Sequence, residues 1–124
     1  MTEAVKISCH CGAVEMEAHL SGPLESAARC DCSFCRRRAA PTLSVPLDKL
    51  KVVKGAENLT VYSFGTHTAK HHFCKICGIY THHQRRSDPN EYGVNMGARD
   101  GVNPSEFEPI PCHDGGNHPS DQLP

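Results

Sequence analysis

The sequence has no tryptophan, and its aromatic residues together make up only 6% of 124 positions. Residues counted as hydrophobic reach 38%, so apolar burial by itself leaves a thin core for a single domain of ordinary size. No run of about 18 apolar residues occurs, which removes the sequence signal of a membrane-spanning helix. The start, Met1-Thr2-Glu3-Ala4-Val5-Lys6, lacks the basic, apolar and small-residue order of a secretory leader. The expectation is therefore a soluble, cytoplasmic protein. An excess of one charge is missing too: thirteen Lys and Arg face fourteen Asp and Glu, for a net charge of -1. That balance argues against nucleic acid or another polyanion as a general partner. Nor is there a long amphipathic helix or an internal repeat beyond recurring thiol pairs.

What the chain does carry is eight cysteines and nine histidines. Cys-x-Cys and Cys-x-x-Cys spacing without a leader suits metal better than disulfides. Metal would also supply the missing stability, since structural zinc contributes about 10–16 kcal/mol of apparent binding free energy in small peptides.

Alternation predicts a mainly β fold, a small single domain with zinc-stapled strands and an irregular C-terminal tail. Val14, Met16, Ala18 and Leu20 alternate with Glu15, Glu17 and His19, the period of a strand with one buried face. Leu43, Val45 and Leu47 alternate again, and Pro46 places that strand at an edge or an end. One helical turn at Asp48-Lys49-Leu50 precedes Lys51-Val52-Val53. A hairpin is expected between Leu59–Phe64 and His67–Phe73, followed by extended chain over Ile79–His83 and at Tyr92, Val94 and Met96. After Asp100-Gly101, repeated prolines and glycines predict irregular chain and a mobile terminus. The domain is expected to span residues 1–118, with a flexible tail at 119–124.

Cys9-x-Cys11-Gly12 and Cys74-x-x-Cys77-Gly78 read as two halves of one closed four-thiol site, each followed by a glycine where a tight turn needs unusual backbone. Cys30, Cys32 and Cys35 lie in one short stretch, RCDCSFCRRR. Three is the informative number, because a structural zinc usually takes four protein ligands whereas a catalytic zinc often takes three and keeps a position for water or substrate. Dividing the thiols four and three uses seven of the eight. Cys112 is then either spare or a fourth ligand to the second ion.

Adjacent residues in a strand point to opposite faces, so at most one of His71-His72 and one of His82-His83 can face a common site. His71, His72 and His82 are candidate acids or bases by their intrinsic pKa. Arg36, Arg37 and Arg38 follow the three-thiol loop directly and are candidates to bind an anionic substrate; Arg85 and Arg86 are the alternative.

The succession CHCG, CDCSFC, VPLDKLKVVKG, YSFGTHTAKHHFCKICGIY and YGVNMGARDG resembles the glutathione-dependent formaldehyde-activating enzyme family, and within it the centromere protein V branch and its bacterial relatives. The resemblance runs over roughly residues 8 to 118. It implies two zinc ions, a structural one at Cys9, Cys11, Cys74 and Cys77 and a catalytic one at Cys30, Cys32 and Cys35. It further implies carbon–sulfur lyase chemistry on a small thiol such as glutathione. The branch often carries a cysteine near Ala98, which this chain lacks. A competing reading is a non-enzymatic zinc module whose surface binds a protein or polymer.

Overall fold

The computed structural model describes residues 3–116. Ten strands form three sheets. In chain order they are β1 (Val5–Ser8), β2 (Glu15–Ala18), β3 (Arg29–Cys30), β4 (Thr42–Pro46), β5 (Leu50–Lys54), β6 (Leu59–Tyr62), β7 (Lys70–Cys74), β8 (Tyr80–Gln84), β9 (Glu91–Asn95) and β10 (Cys112–His113). The single α-helical turn, α1, is Cys35–Arg38.

A three-stranded sheet has the order β1-β2-β5, and a five-stranded sheet the order β4-β9-β8-β7-β6. All pairings within these two sheets are antiparallel. The expected strands are present, with Pro46 on the edge strand β4, where a missing N–H costs no ladder bond. The expected helical turn is a 3-10 turn at Leu47–Lys49. The hairpin β6–β7 pairs Leu59 with Cys74 and Tyr62 with His71.

The alternation in β2 is realised directly, with Met16 and Ala18 buried, Glu17 exposed and Glu15 half-buried. One core draws on both larger sheets, joining Ile7, Val14, Met16 and Ala18 to Val45 and Val94. Burying each large aliphatic side chain there stabilises the fold by roughly 1.5–3 kcal/mol. The buried sulfurs of Cys9 and Cys74 belong to the same cluster, so the four-thiol site continues the core.

The segment after Gly101 is more organised than its composition suggests. Phe107 and Ile110 pack on a second apolar cluster of Ala27, Leu43 and Met96. Arg29 donates two hydrogen bonds to the Glu108 carboxylate, at 3.1 and 2.8 Å, and β10 pairs in parallel with β3. These contacts bring the chain end onto the three-thiol loop. The tail expected at 119–124 lies outside the described residues.

Candidate metal centres and the cavity between them and the arginines

The first site assembles from two turns. Cys9 and Cys11 leave β1, Cys74 ends β7, and Cys77 sits in the tight turn before β8. Gly12 and Gly78 both have positive φ, 79° and 77°, so the glycine after each second thiol does supply left-handed backbone. The four sulfurs lie within 4.8 Å of one another, with Cys9 Sγ 3.6 Å from Cys11 Sγ and Cys11 Sγ 3.7 Å from Cys74 Sγ. Tetrahedral zinc with bonds of about 2.3 Å sets sulfurs about 3.8 Å apart, so the donor set fits that ion. Val14 N–H donates to Cys9 Sγ at 3.3 Å and Ile76 N–H to Cys74 Sγ at 3.4 Å, a preference for thiolate over thiol at both sulfurs.

The second site is the loop from β3 into α1. Cys30, Cys32 and Cys35 form a separate group with all sulfurs within 4.8 Å. The Cys32 N–H donates to Cys30 Sγ at 3.4 Å and the Cys35 N–H to Cys32 Sγ at 3.2 Å. Hydrogen bonds from the Cys30 and Cys35 thiols push the Cys32 thiol far below its ordinary pKa, and the same coupling pushes Cys30 and Cys35 up. One charge is easy to place among three sulfurs and three are not, which is the chemistry of a set that needs a cation to ionise fully.

Two contacts build the rim. Asp31 Oδ1 accepts from Gly115 N–H at 2.8 Å and Gly116 N–H at 3.0 Å, holding the C-terminal segment against the loop. Gly115 is there because nothing larger fits: a Cβ would stand 2.3 Å from Cys30 Sγ. Cys112 is exposed and falls outside both sulfur groups.

The three sulfurs open onto a cavity of about 330 Å³ whose far wall includes Arg38, His71, His83, Arg85 and Arg86. Of the arginine run, only Arg38 lines it; Arg36 and Arg37 are exposed on α1, because one helical turn cannot aim three consecutive side chains the same way. The Arg38 guanidinium lies 3.6 Å from the Tyr80 ring centroid and 4.6 Å from that of Phe34. It donates to Cys35 Sγ at 3.6 Å. No carboxylate pairs with it among the described residues, whereas Arg29 is paired with Glu108 and Arg85 with Glu91. Arg85 also donates to Thr42 Oγ1 and Ser44 Oγ.

Register decides the histidines. β7 and β8 pair His71 with His83 and His72 with His82. His71 and His83 line the cavity, and His72 and His82 stack on each other, 4.3 Å between centroids, away from it. Among the candidate acids and bases, His72 and His82 are thus outside the cavity, and His83 is a cavity residue that sequence reasoning passed over. Strand alternation allowed one histidine of each pair, but only the cross-strand register selects which.

A family model described as glutathione-dependent formaldehyde-activating enzyme matches residues 4–112. Among solved structures, the crystal structure of a Rhodobacter sphaeroides protein superimposes with a TM-score of 0.85 at 59% sequence identity, covering 87% of this chain and 99% of that one. With its mainly β fold and two cysteine groups able to hold metal, the chain belongs to the glutathione-dependent formaldehyde-activating enzyme family.

Proposed function

We propose that the protein is a zinc-dependent carbon–sulfur lyase that makes and breaks the adduct of a glutathione-type thiol with an aldehyde. The observation that carries this reading is a group of only three sulfurs opening onto a cavity, beside a closed four-sulfur group. The four-sulfur site serves the fold, and the three-sulfur site serves the reaction. Zinc at Cys30, Cys32 and Cys35 supplies a Lewis-acid position where sulfur is held as thiolate or stabilised as a leaving group.

The chain's own residues do the rest. Arg38 sits in the cavity without a carboxylate partner among the described residues, so its charge attracts an anionic thiol and offsets the negative charge of three thiolates. Arg86 also faces the cavity and stands within reach of a carboxylate of the same ligand. Arg36 and Arg37 flank the loop from the surface and steer the anion at longer range. Phe64 and Ala69 give the cavity an apolar side, where reduced water access strengthens these charges.

Formation of S-hydroxymethylglutathione, followed by magnetisation exchange between free and adducted ¹³C-formaldehyde, tests the reading. Zinc-loaded wild type should speed the exchange above the solution rate. Cys32→Ser should lose one of two metals and the acceleration while keeping most of its β signal by circular dichroism. Exchange at the solution rate with both metals bound would sink the lyase assignment and favour a zinc module that binds a partner.

A further inference from the structure

The two imidazoles in the cavity wall are held as opposite tautomers. His71 and His83 are directly paired across β7 and β8, with centroids 5.0 Å apart and planes 26° from parallel. His71 Nδ1 lies 3.1 Å from Arg38 Nη1. A guanidinium has only donors, so Nδ1 must accept, and the single ring proton resides on Nε2.

For His83 the argument runs through a tyrosine. His83 Nδ1 is 2.6 Å from the Tyr80 hydroxyl oxygen, and that oxygen is 3.1 Å from the Gly93 carbonyl oxygen. The hydroxyl has one proton, and the carbonyl can only accept. Were that proton given to His83, two oxygens would face each other at 3.1 Å with nothing between them. Donation from Tyr80 to Gly93 and from His83 Nδ1–H to Tyr80 satisfies all three groups, and it leaves the His83 lone pair on Nε2. Neither Nε2 has a hydrogen-bond partner among the described residues.

The surroundings hold this arrangement. Burial, followed by the nearby Arg38 charge, lowers His71 to about 3 and His83 well below its ordinary value, so both rings stay neutral. Burial pushes the Tyr80 phenol up, so it keeps its proton. Gly93 gives the His83 ring its place, because a Cβ there would stand 2.6 Å from Cε1.

We propose that His83 is the proton acceptor and His71 the hydrogen-bond donor for addition of a thiol to an aldehyde in this cavity. The inference rests on the reaction proposed above. His83 Nε2 takes the S–H proton, and the sulfur electron pair forms the S–C bond. The C=O π pair moves onto oxygen, where His71 Nε2–H donates to it. The proton held by His83 then passes to that oxygen, completing the hydroxymethyl thioether, and cleavage runs the same transfers in reverse. Two rings of the same tautomer could not serve both ends of the reaction; opposite ones can.

Long-range ¹H–¹⁵N correlation of the histidine rings in the zinc-loaded protein reads the tautomers without any turnover. The expected pattern is His71 protonated on Nε2 and His83 on Nδ1, unchanged between pH 6 and 8, with Tyr80→Phe releasing His83 into a mixture. In the exchange assay, His83→Gln should lower kcat roughly 10²- to 10⁴-fold with both metals retained and KM changed little. A wild-type His83 protonated on Nε2, or His83→Gln with wild-type kcat, overturns the proposal. The two levels separate cleanly. A wild type without turnover but with the expected tautomers overturns the reaction and keeps the donor–acceptor pair, and an active wild type with a reversed His83 does the opposite.

Discussion

Gly115→Ala adds three hydrogens and one carbon, and the structure gives that carbon no room. The new Cβ would lie 2.3 Å from Cys30 Sγ, 3.1 Å from Cys32 Cβ and 3.4 Å from Cys32 N. Heavy atoms in comfortable contact stand about 3.5–4.0 Å apart, so either the Cys30 sulfur or the 115 backbone must retreat by more than about 1 Å. The backbone is tied by the Gly115 and Gly116 N–H bonds to Asp31 and by the pairing of β10 with β3. The sulfur is the softer of the two, yet a metal tolerates only about 0.2 Å of bond-length error. Overpacking of this kind costs about 1–3 kcal/mol, which is about 5- to 150-fold in affinity if the strain falls on the metal. Competition with a chromophoric chelator should therefore show one ion of two loosened by that factor, and the other unchanged. Gly116→Ala is the control, since its Cβ would come no closer than 3.4 Å, to the Asp31 carbonyl oxygen. Wild-type affinity for both ions in Gly115→Ala would refute the claim that the C-terminal segment closes over the three-thiol loop.

Cys74→Ser should release the other ion and lower the melting temperature sharply or cause aggregation, because the buried Cys74 sulfur is part of both the four-thiol group and the core. Retention of two metals and wild-type melting would show that site to be misassigned. Gly55→Ala should cost about 2–5 kcal/mol in chemical denaturation: its φ is 80° and a Cβ would sit 1.8 Å from the Ala13 carbonyl oxygen; a midpoint within error of wild type would contradict the close approach of these two segments. Burial, with a smaller push from His72, lowers His82 to about 3 from 6.5. The unfolded chain therefore binds the extra proton between pH 6.5 and 3, and the stability this residue contributes is whole above 6.5 and falls as pH drops through that window. His82→Asn should reduce the stability slope there by up to about 1.4 kcal/mol per pH unit, and an unchanged slope would mean that His82 protonates freely in the folded protein.

Much of this protein is decided by local chemistry. Chelating pairs need only two or three residues between sulfurs, and the glycine after each pair meets a backbone demand within the same turn, so Cys9-x-Cys11-Gly12 and Cys74-x-x-Cys77-Gly78 were legible before any fold. Their union across 63 residues followed from ligand number. The strands β2, β4 and β6 to β9 announced themselves because one face of each meets core and the other does not. By contrast, β1 buries only Ile7 of its four residues and β3 and β10 have two residues each, too short for any period to show.

The cavity was another matter. Arg36, Arg37 and Arg38 are equivalent as letters, and the rotation of one helical turn separates the one that lines the cavity from two that face out. His83 shares a face with His71 only because β7 and β8 pair in that register; a slip of one residue would have put His82 there instead. Gly93 and Gly115 carry no local signal at all, as their smallness answers a ring on the neighbouring strand and a sulfur more than eighty residues away. Cysteine count and spacing thus settled which atoms can hold metal, since ligation is short-ranged. Which side chains meet substrate was settled by strand register and chain crossing, which join positions that no sequence interval relates.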